Sequence, residues 1–317
     1  MEKKLSLKIC IIGAGQVGST FAYALLMRGL ASEIVLIDIN RELAEGHAQD
    51  LSHGLPYVRP ARIYAGDYAD CTDADIVVIT AGAAQKPGES RLDLTQRNVE
   101  LFRRMIPDIA RYNQQGMIIV VSNPVDILTY ATIKFSGFTS HRVIGTGTTL
   151  DSARFRFLLS QHCRVDPRNV HAYIIGEHGD TEVPVWSLVH ISGVQLDQFC
   201  QKCKRGCSME TKQQLFEQVR TAAYHLIEKK GASYHAIGLA TLTIVESIVR
   251  DQNSILTISN YLDNYLGLSD LCLSVPTIIN RRGTLSQIEL PLSSEELDGL
   301  QRSALVIDAV LKQVGLK

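Results

Sequence analysis

Near the N-terminus a short apolar run, Lys8 to Ile12, breaks into Gly13-Ala14-Gly15-Gln16-Val17-Gly18. Ser19 to Met27 follows with apolar residues at helical spacing and stops at Arg28-Gly29. A second apolar run, Ile34-Val35-Leu36-Ile37, ends in Asp38. The succession is therefore strand, glycine turn, helix, strand, acid. Glycines there let the backbone approach a pyrophosphate, whose charge meets the helix N-terminus. An acid twenty residues beyond Gly18 is placed to hold the two hydroxyls of a ribose. The same carboxylate repels a 2′-phosphate, which favours NAD over NADP. Failing that, the glycines make only a tight turn and Asp38 only caps a strand. The pattern predicts a dinucleotide cradle from Gly13, Gly15, Val17, Gly18 and Asp38.

Further apolar runs extend the same sheet: Ile63-Tyr64-Ala65, Ile76 to Ile79, and Met117 to Val121. Their carboxyl ends carry Thr80-Ala81-Gly82-Ala83 and, after Val121, Ser122-Asn123-Pro124. Ligands of open parallel sheets sit beyond such ends, so Gly82, Ala83, Val121, Ser122 and Asn123 join the expected cofactor contacts. Tyr68 is placed either against an adenine or in a solvated loop. The fold class expected is α/β: a Rossmann doubly wound parallel sheet over residues 1–145, then a mixed α+β substrate domain over 146–317. The latter should end in a long helix from about Ser294 to Val314, with Glu295 and Glu296 in its first turn.

A chain of 317 residues has room for two such domains. Its formal net charge of −1 gives no global field for nucleic acid or an anionic membrane. Met1-Glu2-Lys3-Lys4 precedes an apolar run too short for a signal peptide, and no apolar stretch is long enough to span a bilayer. Seven cysteines, an odd number, argue against a disulfide framework and for a reducing compartment, hence a cytoplasmic location. Cys200, Cys203 and Cys207 form Cys-x2-Cys-x3-Cys, expected on one helical face. No fourth ligand is evident in the sequence, so no metal is expected.

Two segments carry the chemistry. Asp151 and Arg154, in Leu150-Asp151-Ser152-Ala153-Arg154, share a helical face if the segment is helical. His178 lies in Gly176-Glu177-His178-Gly179-Asp180, after the apolar strand expected from Val170 to Ile175. Among nine histidines it alone sits between glycines with acids on both sides. Alone, it reads as a structural loop histidine. If Asp151 accepts its ring N–H, the imidazolium is stabilised and the second nitrogen is free to serve as a proton shuttle. Arg154 suits bidentate capture of a carboxylate. Arg156, two positions on, must point elsewhere, towards another subunit or an anion. Gln85 to Arg91 is polar, contains Pro87-Gly88 and precedes a helical stretch, the composition of a mobile lid. Arg91 reads either as a surface charge or as a cation brought over a substrate carbonyl.

Taken in order, Gly13 to Gly18, Asp38, Gln85 to Arg91, Ser122-Asn123-Pro124, Leu150 to Arg156, Asn169 to Trp186 and Lys230 to Leu239 closely resemble the lactate/malate dehydrogenase family, and within it the L-lactate dehydrogenases. The resemblance covers nearly the whole chain. It implies NAD-linked, reversible reduction of pyruvate to L-lactate in a homotetramer. By resemblance, His178 is the acid–base, Asp151 orients it, Arg154 holds the substrate carboxylate and Arg91 closes over the carbonyl. Asn123 contacts substrate and nicotinamide across a cis bond to Pro124, Ile237 packs on the nicotinamide, and Thr146 replaces a frequent serine among the cofactor contacts. Ser233, where threonine is common, widens the substrate pocket and leaves a broader 2-hydroxyacid specificity open. Gln85 stands where malate enzymes usually carry arginine, so a second substrate carboxylate would go unpaired. Arg156 and His171 match a pair that binds fructose 1,6-bisphosphate at a subunit interface in many bacterial members, which the short N-terminus also resembles. A non-catalytic NAD-binding protein on this scaffold would be free to lose His178, Asp151 or Arg91; all three are present.

Overall fold

The structure, a computed structural model, describes residues 7–83, 88, 90–203 and 206–317, with backbone only at 202 and 203. Its frame is built from β1 (Lys8–Ile12), β2 (Glu33–Ile37), β3 (Arg62–Ala65), β4 (Ile76–Ile79), β5 (Met117–Val120) and β6 (Val143–Gly145). They pair in parallel in the order 3-2-1-4-5-6. This is the doubly wound order of a Rossmann sheet, reversing between β1 and β4. The strands are almost wholly apolar because both faces are covered. Side chains alternate between the faces. Ile9, Ile11, Ile34, Leu36, Ile76 and Val78 meet Phe21 and Leu25 of α1 (Gln16–Arg28) and Ala44 of α2 (Arg41–His53). Cys10, Ile12, Val35, Ile37, Val77 and Ile79 take the other face. There they meet Phe102 and Ile106 of α3 (Arg91–Tyr112) and Leu128 of α4 (Val125–Ser136).

After β6 comes α5 (Thr149–Cys163), then five two-residue strands: β7 (Val170–His171), β8 (Ile174–Ile175), β9 (Val183–Pro184), β10 (His190–Ile191) and β11 (Val194–Gln195). The single strand expected over 170–175 is split. β7 pairs with β10 and β8 pairs with β9, so the chain changes partners at Ala172-Tyr173. α6 (Leu196–Cys203), α7 (Met209–Lys230) and α8 (His235–Val249) follow. Phe155 and Leu159 of α5 bury a separate core with Val170, Ile174, Leu196 and Val219. α6 ends at Cys203, and Cys207 lies beyond it in the link to α7. The one helical face expected to carry Cys200, Cys203 and Cys207 is therefore not formed.

β12 (Ser254–Leu262), β13 (Leu271–Asn280) and β14 (Gly283–Gln287) return antiparallel and extend the first sheet. Among the described residues it reaches nine strands, and β12 joins β6 with Ser259 opposite Gly145. α9 (Ser294–Gln313) closes the chain with a capping box between Ser293 and Glu296, close to the expected bounds. Among the described residues no helix is long and apolar enough to cross a membrane.

Candidate active site

The glycine turn is shaped by close approach. Gly13 has φ +100°, and a Cβ there would stand 2.6 Å from the Ala81 nitrogen. A Cβ on Gly18 would stand 1.9 Å from the Gly13 carbonyl oxygen, so only glycine lets α1 pack directly on the turn. Gly15, the N-cap of α1, has no side-chain cap, and a Cβ there would meet nothing within 4 Å. The helix N-terminus thus opens onto space at the β1/β4 switch, the fit a pyrophosphate requires. Val17 is half-buried on the first turn of α1.

Asp38 follows β2. Its Oδ2 accepts the Ala14 N–H at 2.7 Å and its Oδ1 the Asn40 N–H at 2.8 Å. The carboxylate is thus fixed beside the glycine turn, as a ribose partner must be. Ile39, next to it, is a fully exposed apolar side chain. Tyr68 sits not in a solvated loop but half-buried against the core, and burial first, then nearby Asp108, Cys71 and Asp38, raise its phenol pKa.

Beyond β4 and β5 the chain ends are stapled together. Ser122 Oγ donates to the Ala81 carbonyl at 2.6 Å. Asn98 of α3 accepts the Ala83 N–H at 2.8 Å and donates to the Asn123 carbonyl at 2.9 Å. Asn123-Pro124 is cis, as the resemblance implies. Val121 is buried, Gly82 and Asn123 are exposed, and buried Thr146 donates its N–H to the Val120 carbonyl at 2.9 Å. Ser233 is half-buried just before α8, and Ile237, on its first turn, packs at the edge of the α1-side core. Gln85 lies outside the described residues.

The residues expected to carry acid–base chemistry are brought together by four elements. Ser152 Oγ accepts the Ile174 N–H at 2.9 Å, and Thr148 Oγ1 donates to the Ile174 carbonyl at 2.5 Å. These bonds pin the first turns of α5 to β8. The chain then leaves β8 through Gly176, at φ +90°, bridged in both directions to Ser274 of β13. His178 arrives beside Asp151: its Nδ1 lies 2.5 Å from Asp151 Oδ2. A carboxylate accepts, so Nδ1 carries the proton and Nε2 is directed away. The His178 backbone N–H donates to Asp126 Oδ2 of α4 at 2.8 Å. Asp151 also accepts from Arg154 Nη1 at 2.9 Å, with side chains 3% and 14% exposed.

Burial works against the His178 cation, but Asp151, helped by Asp126 and Glu182, prevails and holds its pKa up at about 9. Burial likewise favours a neutral Asp151, yet His178 and Arg154 hold it below the usual carboxylate range. Burial pushes Asp126 up to about 7 and Glu182 well above its ordinary value. A protonated imidazole stands at neutral pH over a single committed carboxylate.

Arg91 is the first residue of α3, behind the Ser90 N-cap. Its guanidinium pairs with Asp180, which also accepts from the Tyr224 hydroxyl at 3.2 Å. Both partners are largely exposed, so Arg91 rests on an ion pair cheap to break, and its partner Asp180 lies two residues beyond His178 in sequence. Arg156 points away from Arg154, as helix rotation requires: its Nε donates to the Val170 carbonyl at 2.8 Å, next to exposed His171. Sequence reasoning missed Asn98, Asp126, Glu182 and Asp180. Asn98 interrupts the apolar stripe of α3, and Asp126 interrupts the apolar run of α4, which was the available signal.

Comparison with known proteins agrees with this geometry. The description "lactate/malate dehydrogenase, NAD binding domain" matches residues 7–145, and "lactate/malate dehydrogenase, alpha/beta C-terminal domain" matches 148–315. An L-lactate dehydrogenase of Acetivibrio thermocellus is 52% identical over 315 residues, 99% of each chain. One from Thermoanaerobacter sp. is 51% identical over 309 residues, 98% of this chain and 99% of its own. A solved minor L-lactate dehydrogenase from Enterococcus mundtii, in a ligands-bound form, superposes with a TM-score of 0.96 at 40% identity, covering 99% of this chain and 100% of its own. With two family descriptions covering nearly all of its length and half its residues shared with such relatives, this chain belongs to the lactate/malate dehydrogenase family.

Proposed function

We infer that the chain is an NAD-dependent L-lactate dehydrogenase, interconverting pyruvate and L-lactate. One observation carries the reading: a single buried carboxylate, Asp151, joins a proton-bearing histidine to an arginine. A 2-oxo acid needs those two groups, a proton donor for its carbonyl oxygen and a fork for its carboxylate. The Gly13–Gly18 turn and Asp38 would hold NADH, which when bound would supply the hydride for the carbonyl carbon. His178 gives its Nε2 proton to the carbonyl oxygen and takes one from the lactate hydroxyl in reverse. Such acid–base work is worth ~10²–10⁴ in rate. Asp151 keeps the imidazole oriented and charged. Arg154, one edge of its guanidinium on Asp151, offers the other to the substrate carboxylate. Arg91 exchanges Asp180 for the carbonyl, and Asn123 hydrogen-bonds the substrate.

Gln85 excludes a second carboxylate, and Ser233 makes room for larger 2-oxo acids. NADH oxidation against pyruvate, oxaloacetate, 2-oxobutyrate and phenylpyruvate tests the assignment. The highest kcat/KM is expected with pyruvate; a preference for oxaloacetate, or no turnover of any, refutes it. In Gln85→Arg, preference should move towards oxaloacetate, since an unpaired carboxylate in a closed site costs several kcal/mol. An unchanged ratio of the two acids sinks that argument.

Arg156 and His171 are the residues for fructose 1,6-bisphosphate at a subunit interface. Cationic groups doubled by a symmetry axis repel until an anion joins them, so the effector would favour the assembled state of a homotetramer. Pyruvate saturation with and without the bisphosphate, at acid and neutral pH, tests activation, and sedimentation equilibrium tests the tetramer. A cytoplasmic location fits the odd number of cysteines, seven, which argues against a disulfide framework.

A further inference from the structure

Where α5, α6 and α7 meet, three metal-ligating side chains gather that the reaction does not use. His162 is on the last turn of α5, Cys200 on α6, and Cys207 in the link to α7. One ligating atom from each lies within 4.8 Å of the others. Cys200 is buried, while His162 and Cys207 are half-buried, so the cluster is reachable from solvent. We propose that His162, Cys200 and Cys207 bind a thiophilic divalent cation of the zinc class. The ion would tie the α6–α7 link to the far end of the helix that carries Asp151 and Arg154.

Distance supports this. Zinc bonds of ~2.3 Å to sulfur and ~2.0–2.1 Å to nitrogen, at tetrahedral angles, put ligand atoms roughly 3.5–3.8 Å apart. The 4.8 Å bound therefore leaves about 1 Å to close at most, which rotation of a thiol or ring covers. Orientation supports it too. His162 Nε2 lies 3.2 Å from the Gly206 carbonyl oxygen. A carbonyl only accepts, so Nε2 carries the proton and Nδ1 carries the lone pair. A ligating histidine whose second N–H donates to a backbone carbonyl is the usual outer arrangement of a metal site. Gly206, at φ +63°, makes the turn that presents Cys207, so one turn places both the thiol and the ring.

Charge then selects the cation. Two thiolates neutralise a divalent ion, so the partly buried site holds no net charge. Calcium and magnesium prefer oxygen ligands, whereas two sulfurs and an imidazole suit zinc and leave a fourth position for water or another ligand. The sequence expectation of no metal rested on the lack of an evident fourth ligand beside the three cysteines; the fold brings in the histidine from α5.

Cobalt(II), as a coloured substitute for zinc, tests the site. Reduced, chelator-stripped full-length protein should take up one equivalent, with sulfur-to-cobalt charge-transfer absorption and tetrahedral d–d bands that zinc(II) abolishes. Cys207→Ser and His162→Gln should each weaken cobalt binding by at least ~10–100-fold, the factor that loss of even an outer-layer partner costs. Continued oxidation of NADH by pyruvate in both variants reports an intact fold. Should either variant misfold, zinc(II) must still protect Cys207 of the wild-type protein from alkylation by iodoacetamide. Absence of the charge-transfer band, unchanged affinity in both variants, or alkylation indifferent to zinc overturns the proposal. A Cys200–Cys207 disulfide with no cobalt uptake does the same.

Discussion

Replacing Asp151 by Asn removes one negative charge and little else. The amide keeps the volume and retains an oxygen for Arg154. In the native protein His178 titrates at about 9 rather than 6.5. At ~1.4 kcal/mol per pH unit, that difference is worth about 3 kcal/mol of preference for the imidazolium. Burial, the largest influence, pulls the other way against only the smaller pull of Asp126 and Glu182, so without the Asp151 carboxylate the pKa should fall towards its ordinary value or below. At pH ~8 the wild-type imidazole is then about nine-tenths protonated and the variant only a few per cent, a ~30-fold loss in proton supply. Reduction of pyruvate consumes that proton, so its rate persists below the pKa and is lost above it. The kcat/KM for pyruvate, followed through NADH absorbance, should decline as pH rises through about 9 in the native enzyme. In Asp151→Asn the decline should come near pH ~6.5 or lower. The deficit should shrink towards acid pH. Stability follows the same sign: the contribution of a raised histidine pKa is complete below its unfolded value and disappears as pH climbs through the folded one. An alkaline limb at the same pH in both proteins would show that Asp151 does not set the proton affinity, and the mechanism built on it would fail.

Four other substitutions test the local geometry. Arg154→Lys loses the planar fork while keeping the charge; kcat/KM for pyruvate should fall by about 2–5 kcal/mol, mostly through KM, as steady-state kinetics would reveal. Asp38→Ser removes repulsion of a 2′-phosphate, so the NADH/NADPH ratio of kcat/KM should drop at least ~10-fold. Its Tm should also fall, because the Ala14 and Asn40 N–H groups lose a charged acceptor worth ~1.5–3 kcal/mol each. Gly18→Ala forces α1 off the glycine turn and should cost ~1–3 kcal/mol with weaker NADH binding. Gly46→Ala, on the exposed side of α2 with nothing within 4 Å, should instead gain ~0.5–1 kcal/mol, both read by thermal melts.

The sheet could be read from sequence because buried parallel strands are nearly pure apolar runs ended by glycine or acid, and that signal is local. The pairing of His178 with Asp151 could be inferred only from chemical need. What enforces it, the Ser152 and Thr148 bonds to Ile174, joins segments whose meeting no local pattern announces. The split of Val170–Ile175 has the same origin: the composition of one strand, but two different partners. Arg91 opens α3, one residue before the stretch the sequence marks as helical, but its partner Asp180 comes from a distant loop, and exposed ion pairs leave no periodic trace. Asn98 and Asp126 were readable in principle, as polar interruptions of apolar stripes. Burying them requires specific backbone partners, and those come only from tertiary structure.

The pairing of Ser259 with Gly145 has a mechanical consequence. It joins the parallel sheet that carries the glycine turn to the antiparallel strands bridged to Gly176, so that both belong to one hydrogen-bonded slab. A clamshell swing between them would have to break that pairing and drag His178 off α4. On the proposed function, admission and enclosure of a small acid would fall to short-range swaps such as Arg91 leaving Asp180, over a floor that stays still.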